Sequence, residues 1–308
     1  MRALIFGANG FVGGHLAREL TTHGYTVYGA DRQDKARYSE CDNYYCVDIT
    51  NAIDVMTLCR KLSPDVIINL AAISSVGASW KLPKQTIELN VCGTINIFEA
   101  AKKLCSQPKI LIIGSSEEYS PSDAPLKETD PIDATNPYGI SKMTQEHFAQ
   151  MYTKRYGLKI YLTRSFNHIG PGQSSTFVVS SWCKQVAEID ASGKPGIVSV
   201  GNLEVSRDFT DVRDIVRAYR LLIESDYSGE IFNIGSGIAR PLKKILSTIT
   251  KFSSQPMKIS VNPALLRPSD NPTICCDATK AQKKLGWEPR IPFKDTLYDT
   301  YKTFQDRF

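Results

Sequence analysis

Tyr138 and Lys142, in the stretch NPYGISK, have the types and the spacing needed for proton transfer. On a helix, a separation of four residues places both side chains on one face, a turn apart. A phenol in water has a pKa of about 10, which is too high for ready proton exchange at neutral pH. A nearby ammonium stabilises the phenolate and lowers that pKa, so the pair predicts a tyrosine that acts as an acid/base.

A second group of reactive types follows a short apolar run in KILIIGSSEEYS, which spans residues 109–120. The apolar run and its glycine predict the end of a buried strand. Ser115, Ser116, Glu117 and Glu118 come directly after it. Acidic residues in a turn are usually solvated, and we expect this of Glu118. For the other three, a solvated turn and a place in a reactive site are both open from this stretch alone.

Three glycines at regular spacing lie near the N-terminus, in FGANGFVG. They follow a predicted strand and precede a predicted helix, which is the context in which a glycine turn binds a dinucleotide. The first glycine permits a tight turn, the second lets the backbone approach a pyrophosphate, and the third allows close helix packing. The alternative is that they serve turn geometry only. The residues that we assign to cofactor binding here are Gly7, Asn9, Gly10, Phe11, Val12 and Gly13.

Asp31 ends the second predicted strand about twenty residues further on, where a carboxylate accepts hydrogen bonds from the adenosine ribose. A carboxylate repels a 2′-phosphate, so NAD(H) is favoured over NADP(H). Arg32 follows at once and would pair with that phosphate, so both cofactors stay open. Asp48 and Ile49, in CVDIT, are placed to meet the adenine edge. The alternative for the 48–50 region is a helix N-cap.

Short apolar runs alternate with longer amphipathic segments through the first half of the chain. Apolar runs that are each followed by a helix predict a parallel sheet covered on both faces, a doubly wound α/β fold of the Rossmann type. The predicted strands are 3–6, 26–30, 44–47, 66–70, 110–113 and 160–163, and the predicted helices are 12–22, 52–61, 84–103 and 137–156.

The pattern changes after Arg164, where SFNHIGPGQSSTF predicts a cleft-lining loop. Further on, RDFTDVRDIVRAYRLLI predicts a short strand that leads into a helix, and 231–234 predicts a strand that returns to the large sheet. We therefore predict a dinucleotide-binding domain over 1–164, with a returning segment near 208–238. Residues 165–207 and 239–308 are predicted to form a smaller α/β lobe that binds the substrate.

The composition argues against several other classes of protein. The net charge of +5 comes from scattered lysines and arginines without a dense basic run, which argues against a nucleic-acid partner. The eight cysteines include no CxxC pair and the four histidines show no ligand spacing, so we predict no metal site and free thiols in a reducing cytoplasm. The N-terminal apolar run is short and broken by glycine, so we predict neither a signal peptide nor a membrane segment.

Together these motifs resemble the extended short-chain dehydrogenase/reductase family of NAD-dependent epimerases and dehydratases. The resemblance covers the glycine turn, Asp31, NLAA at 69–72, Asn90, the serine-tipped strand and the tyrosine–lysine pair. It implies that Leu70, Ala71 and Ala72 line a nicotinamide cofactor. It also implies that Asn90 stabilises the active-site backbone and a proton-relay water.

The resemblance implies catalytic roles as well. Tyr138 would be the acid/base, Lys142 would tune it and contact the cofactor, and Ser115, with Ser116 beside it, would hydrogen-bond the reacting sugar oxygen. In nucleotide-sugar 4,6-dehydratases a glutamate at the position of Glu117 removes the C5 proton, whereas epimerases generally lack it. The SSEEY stretch is therefore similar to the 4,6-dehydratases and their nearest kin.

The stretch VGNLEVSRDF is similar to the branch of this family that acts on GDP-sugars. The substrate contacts that the resemblance implies are Ser74, Ser75, Asn167, Asn202, Arg207, Arg267 and Asp270. The alternative for Arg207 and Arg267 is a surface ion pair. His168 either lines the same wall or is a packed, hydrogen-bonded histidine.

Within that branch the chain departs from the dehydratases, because it is shorter and reads IGPGQSS where they carry a double-arginine loop. The resemblance therefore implies a reductase of the C4 ketone of GDP-4-keto-6-deoxy-D-mannose, with Glu117 as a retained binding feature. A GDP-mannose 4,6-dehydratase and a 4-epimerase with tightly bound NAD are the alternatives, and a non-enzymatic dinucleotide sensor is a remote one. Helices 84–103 and 137–156 predict a homodimer through a four-helix interface, unless their apolar stripes face only the sheet.

Overall fold

The computed structural model describes residues 1–38, 40–266 and 271–308. Its strands are β1 (Arg2–Phe6), β2 (Thr26–Asp31), β3 (Asn43–Cys46), β4 (Val66–Asn69), β5 (Lys109–Ser115), β6 (Ile160–Ser165), β7 (Asn167–Ile169), β8 (Gly196–Val200), β9 (Ser206–Asp211), β10 (Ile231–Ile234), β11 (Ala239–Pro241), β12 (Met257–Val261) and β13 (Thr273–Ile274).

Its α-helices are α1 (Phe11–Thr22), α2 (Ala52–Leu62), α3 (Val76–Lys81), α4 (Pro83–Ile87), α5 (Gly93–Lys102), α6 (Pro137–Tyr156), α7 (Val178–Ser192), α8 (Val212–Glu224), α9 (Leu242–Ile249), α10 (Thr279–Leu285) and α11 (Phe293–Gln305). A π-helical segment, Glu88–Cys92, joins α4 to α5. Short 3-10 turns lie at Ser116–Glu118, Thr250–Phe252 and Pro263–Leu265.

Seven strands of the described chain form one parallel sheet, in the order β10-β6-β5-β4-β1-β2-β3. This confirms the predicted doubly wound fold, including the strand that returns to the large sheet as β10. The strand order reverses between β1 and β4. In such sheets the ligand crevice lies at this reversal, outside the carboxyl ends of the strands.

Apolar side chains cover both faces of the large sheet. On one face α1 and α8 bury residues such as Leu16 and Tyr219, and on the other α2, α5 and α6 bury residues such as Leu58 and Phe98. Burial on both faces is the reason that the strands read as continuous apolar runs. The sheet is therefore rigid, and its carboxyl edge is a fixed platform for a site.

A smaller lobe is attached at that carboxyl edge. β9 pairs with β7, β11 and β13, and β8 pairs with β12. α7, α9 and α11 bury a third apolar cluster there, which includes Trp182 and Tyr301. Because β7 begins directly after β6 ends, the lobe's sheet starts where the large sheet stops. The lobe is thus positioned beside the ends of β5 and β6.

The structure differs from the predicted elements mainly at their ends. β5 and β6 continue to Ser115 and Ser165, beyond the apolar runs, because their last residues pair in register although they are polar. The helix predicted over 84–103 starts at Pro83 and is interrupted by the π-helical segment. The boundary predicted after Arg164 falls inside β6.

Candidate active site

The glycine turn between β1 and α1 has room for backbone atoms only. Gly7 has a left-handed backbone, with φ +82°, and a Cβ there would lie 2.6 Å from the amide nitrogen of Ala71. A Cβ on Gly13 would lie 2.4 Å from the carbonyl oxygen of Ala8. α1 begins after Gly10 with no side-chain cap among the described residues. An uncapped helix N-terminus behind a tight glycine turn fits the pyrophosphate of a dinucleotide.

Asp31 lies beside this turn, at the end of β2. Its carboxylate accepts hydrogen bonds from the backbone N–H of Asn9, at 3.2 Å, and of Arg32, at 2.8 Å. The Asn9 side chain is used by the protein itself, because it accepts from the Arg37 N–H at 2.7 Å and donates to the Tyr44 hydroxyl at 2.9 Å. The Asn9 side chain therefore holds the loop after β2, and a cofactor contact of Asn9 stays a prediction that its backbone would have to meet.

Asp48 does not cap α2. Its carboxylate accepts from the backbone N–H and the hydroxyl of Thr50, both at 2.8 Å, in the exposed turn before the helix. The cap is Asn51, whose side chain accepts from two amides of the first turn. Ile49 is buried against Gly93 and packs in the core. The helix-cap alternative for the 48–50 region is thus wrong, and the Asp48 carboxylate is accessible at the sheet edge.

The loop after β4 crosses the glycine turn and contains Leu70, Ala71 and Ala72. Asn69 holds it through its side-chain oxygen, which accepts from the Ala71 N–H at 3.1 Å. Asn90, in the π-helical segment, accepts from the Ile73 N–H at 2.9 Å and donates to the Ser141 hydroxyl at 2.8 Å. Asn90 therefore ties this loop to α6 through its buried side-chain amide.

The tyrosine and lysine of the YxxxK motif face the tip of β5. Lys142 Nζ lies 5.9 Å from the centroid of the Tyr138 ring and donates to the carbonyl oxygen of Ile113 at 2.8 Å. The side chain of Ser115 lies close enough to the Tyr138 hydroxyl to lower the pKa of that phenol. Asn136 caps α6 by accepting from the Gly139 N–H. Phenol, ammonium and hydroxyl are thus brought together by one helix and one strand end.

Burial changes the proton affinity of this pair. Burial raises the pKa of Tyr138 well above its usual value, and the neighbouring Ser115 side chain only partly opposes this. It lowers the pKa of Lys142 to about 8, while the carboxylate of Glu118 pulls it upward. The expected lowering of the Tyr138 pKa is therefore wrong for the protein alone, because desolvation outweighs the neighbouring ammonium. Tyr138 is protonated at neutral pH and can donate its proton.

Glu117 is oriented by the helix cap. Its carboxylate accepts from the side-chain amide of Asn136 at 2.9 Å, and its backbone N–H donates to Ser115 Oγ at 3.2 Å. Ser116 beside it is buried and begins the 3-10 turn. Asn136 thus links the start of α6 to the tip of β5. The sequence did not predict this contact, because Asn136 was assigned to no site.

Glu118 is fully buried, so the expectation that it is solvated is wrong. Its carboxylate accepts from the Ser115 N–H at 2.6 Å and lies 3.9 Å from Arg164. Space for it exists because residue 114 is glycine, where a Cβ would lie 2.5 Å from Glu118 Oε1. Two signals could have revealed this burial: an arginine inside the apolar strand β6, and the capping-box spacing from Ser115 to Glu118.

Several predicted substrate contacts are engaged in local structure. Ser75 caps α3 by accepting from the Ala78 N–H, and Ser74 beside it is exposed. Asn202 accepts from the Glu204 N–H at 2.9 Å in a turn. Asn167 is exposed at the start of β7, and its side chain forms no turn hydrogen bond with another of the described residues.

Arg207 is buried rather than on the surface, and it donates to the carbonyl oxygens of Ser206 and Asn271. Arg267 and Asp270 lie outside the described residues. His168 donates from Nδ1 to the Phe166 carbonyl at 3.1 Å and stacks on Phe11, which supports the packed alternative.

Burial lowers the pKa of His168, so that its ring is neutral at neutral pH. Val12, the neighbour of Phe11 in the glycine turn, packs against the apolar core beneath α1. Within residues 1–38, 40–266 and 271–308, His, Cys, Asp and Glu side chains form no cluster of three or more that could hold a metal ion. Among the helices of those same residues, none has both the length and the apolar character needed to cross a bilayer.

Fold and site together define an NAD(P)-dependent nucleotide-sugar enzyme of the extended short-chain dehydrogenase/reductase family. The pattern of the GDP-mannose 4,6 dehydratase family matches residues 4–300, which is most of the chain. The protein belongs to the GDP-mannose 4,6-dehydratase family.

Individual relatives divide between two activities. A GDP-6-deoxy-D-mannose reductase from Pseudomonas aeruginosa is 28% identical over 79% of this chain and 81% of its own length. A GDP-mannose 4,6-dehydratase from Vibrio cholerae is 26% identical over 96% of this chain and 91% of its own.

Solved structures agree with the fold. RMD from Pseudomonas aeruginosa, complexed with NADPH, has a TM-score of 0.88 and 25% identity and covers 100% of this chain and 99% of its own. A UDP-glucose 4-epimerase from Thermotoga maritima, with UDP-glucose, has a TM-score of 0.88 and 26% identity over 100% of this chain and 99% of its own. A nicotinamide cofactor, such as the NADPH named for the Pseudomonas aeruginosa structure, fits the glycine cradle described above.

Proposed function

We propose that the protein reduces the C4 ketone of GDP-4-keto-6-deoxy-D-mannose with a reduced nicotinamide cofactor, which forms GDP-D-rhamnose. The observation that carries the proposal is Tyr138, a half-buried phenol that is protonated at neutral pH and lies beside Ser115 and Lys142. A ketone that becomes an alcohol needs a proton at its oxygen, and this phenol can supply it. The similarity to the Pseudomonas aeruginosa reductase supports the same direction.

In this mechanism the bound cofactor supplies the hydride that reaches C4. Tyr138 donates its proton to the sugar oxygen as negative charge develops there. The Ser115 hydroxyl hydrogen-bonds the same oxygen and orients the carbonyl. The Lys142 ammonium stabilises the phenolate that remains. Hydride and proton together convert the ketone to the alcohol, and solvent then returns a proton to Tyr138.

We propose NADH as the preferred reductant because the Asp31 carboxylate is fixed at the end of β2, where it repels a 2′-phosphate. We expect Asp31→Asn to lower the ratio of kcat/KM for NADH to that for NADPH by about tenfold, equivalent to ~1.4 kcal/mol. The amide still accepts from the Asn9 or Arg32 backbone, so the turn is retained. An unchanged ratio of the two kcat/KM values, measured with each cofactor in a separate steady-state assay, would contradict this preference.

A second candidate is a GDP-mannose 4,6-dehydratase. The observation that favours it is the Glu117 carboxylate, which Asn136 holds beside Ser115, where a base for C5 would lie. Against it, the chain after β7 reads IGPGQSS, without the double-arginine loop of the dehydratases. In the reductase, Glu117 binds the sugar rather than removing a proton.

One experiment separates these functions. The purified protein is incubated with GDP-mannose alone, and separately with GDP-4-keto-6-deoxy-D-mannose plus NADH or NADPH, and the products are identified by mass spectrometry and NMR. The reductase predicts no reaction in the first mixture and stoichiometric loss of reductant in the second. Conversion of GDP-mannose to its 4-keto-6-deoxy form without added reductant would favour the dehydratase. Epimerised sugar, with cofactor bound from purification, would favour a 4-epimerase.

We also propose that the protein is a homodimer through α6 and the helices that precede it. Ile140 and Met151 lie three turns apart on α6 and are exposed, as are Trp80 and Ile87 on α3 and α4. Exposed apolar side chains grouped on neighbouring helices are typical of an interface between copies.

A further inference from the structure

The backbone N–H of Tyr138 lies in the first turn of α6, where a helix cannot satisfy its own amide groups. Pro137 before it has no N–H, and the Gly139 N–H after it donates to the Asn136 side chain at 2.9 Å. The Tyr138 N–H donates instead to Ser79 Oγ, at 3.1 Å. Ser79 lies on α3, 59 residues earlier in the chain, so this amide is capped by a different helix.

The Ser79 hydroxyl is oriented to accept this bond. It donates its proton to the carbonyl oxygen of Val76 at 2.7 Å, and a carbonyl oxygen can only accept. The lone pairs of the hydroxyl oxygen are therefore left for the Tyr138 N–H. Because Ser79 is fully buried, no ligand or solvent molecule reaches it to replace that bond.

The carbonyl group of Tyr138 is held as well. It accepts from the Ser141 hydroxyl at 2.7 Å, and the Ser141 oxygen accepts from the buried side chain of Asn90 at 2.8 Å. The two peptide groups that flank the Tyr138 Cα are thus fixed by two other parts of the chain, α3 and the π-helical segment. Asn90 acts through Ser141, whereas Ser79 contacts the Tyr138 backbone directly.

We propose that Ser79 is a positioning residue of the active site, which caps the first turn of α6 from α3 and thereby fixes the Tyr138 phenol beside Ser115. Being fully buried, Ser79 touches neither the sugar nor the cofactor in this role. Without it, the first turn of α6 loses one of the two side-chain acceptors described above, and the Tyr138 backbone gains freedom to move. The catalytic consequence rests on the proposed function, in which Tyr138 is the proton donor, whereas the effect on the position of Tyr138 does not.

Ser79→Ala removes the acceptor of the Tyr138 N–H and keeps the rest of the site. A proton donor must lie within hydrogen-bond reach of the reacting oxygen, and a displacement of about 1 Å can lower a rate about 10²-fold. We therefore expect kcat for ketone reduction to fall between about tenfold and about a hundredfold. KM for the keto sugar and the Kd for NADH should change little, because Ser79 contacts neither ligand.

A measurement without turnover tests the positioning itself. The tyrosines are isotopically labelled at the ring carbon that bears the hydroxyl, and the Tyr138 signal in the NMR spectrum is assigned by its loss in Tyr138→Phe. We expect this signal to shift or to broaden in Ser79→Ala. If the proposed reaction is wrong, the wild type reduces no keto sugar, yet the Tyr138 signal still changes in Ser79→Ala.

Thr86→Val is the matched control. Thr86 lies on the next helix, α4, is also fully buried, and donates its hydroxyl proton to the Leu82 carbonyl oxygen at 2.8 Å. In the described chain the Thr86 hydroxyl has no bond to α6. Each variant loses one buried hydroxyl bond to the preceding turn, so both should unfold at a lower temperature. Only Ser79→Ala should change kcat and the Tyr138 signal.

Thermal unfolding and NADH binding verify that each variant is folded. If Ser79→Ala is unfolded, Ser79→Cys takes its place, because a thiol fills similar space but is a weak hydrogen-bond acceptor. It should change kcat and the Tyr138 signal in the same direction. A folded Ser79 variant with the wild-type kcat and the wild-type Tyr138 signal would overturn the proposal, as would equal losses of kcat in Ser79→Ala and Thr86→Val.

Discussion

At the scale of single residues, the site depends on how burial shifts the pKa values of its acid/base groups. Lys142 is buried and Tyr138 is half-buried, and desolvation favours the neutral form of each. The phenol is consequently protonated at rest, and the lysine is close to losing its charge at mildly alkaline pH. The proposed reduction needs a protonated phenol at Tyr138 and a cationic Lys142.

Tyr138→Phe tests the proton donor. Without the hydroxyl, the developing alkoxide has no acid, so we expect kcat to fall about 10²–10⁴-fold while NADH binding stays within about twofold. Stopped-flow or steady-state assays with the keto sugar measure the first, and fluorescence titration the second. Tyr298→Phe, an exposed tyrosine on α11, is the control and should retain full activity. Equal activity in both variants would contradict the assignment.

The pH dependence of reduction tests Lys142. Its pKa is lowered to about 8, so Lys142 is mainly an ammonium below that pH and loses its charge above it. We expect kcat to decrease as pH rises through about 8, although Tyr138 keeps its proton there because its own pKa is raised. In Lys142→Arg the cation persists at all accessible pH values, and any remaining activity should lack this limb. An identical alkaline decrease of kcat in Lys142→Arg would show that another group causes it.

At the scale of elements, three strand ends and one helix form the site. β1 and β4 meet at the glycine turn, β5 presents Ser115, and α6 presents Tyr138 and Lys142. The π-helical segment adds the link between them, because it turns Asn90 toward both the loop after β4 and α6. A wide helical turn at a functional site is a common use of such segments.

Gly7→Ala and Gly24→Ala separate backbone strain from crowding. Both glycines have a left-handed backbone, with φ +82° and +79°, but only Gly7 has a neighbour within reach of a Cβ. Strain alone should lower the free energy of unfolding by about 1–2 kcal/mol in each variant. Gly7→Ala should lose more stability, because its Cβ would meet the Ala71 backbone, and it should also lose NADH affinity. Urea unfolding measures the free energy of unfolding, and NADH titration measures the cofactor affinity. Equal effects in the two variants would contradict the proposed role of Gly7 in the cofactor turn.

At the scale of the whole molecule, the two lobes serve different tasks. The large sheet carries the glycine turn and the proposed catalytic groups at one edge, and the smaller lobe lies beside that edge with β7 and β9 paired. The exposed apolar side chains of α3, α4 and α6 are those that the proposed homodimer would cover.

The double variant Ile140→Glu, Met151→Glu tests the proposed homodimer. Two carboxylates on the apolar face of α6 would be desolvated in the interface, so we expect the mass in solution to change from two chains to one. Light scattering after gel filtration measures it. Ile53→Glu, a more exposed position on α2, is the control and should remain dimeric. A monomeric wild type, or a dimeric double variant, would contradict this interface.

The sequence by itself determined the fold class, the glycine turn and the tyrosine–lysine–serine set, because these depend on local patterns: apolar runs, residue spacing and glycine where a Cβ cannot fit. It did not show that Glu118 meets Arg164 or that Arg164 and Glu146 pair, since those contacts join residues on separate elements of the chain. It also assigned Asn9 to the cofactor, although distant partners occupy that side chain. Only the tertiary structure decided the pKa direction of Tyr138, because desolvation is set by everything packed around a group, whereas sequence spacing reveals only its nearest neighbours on the helix.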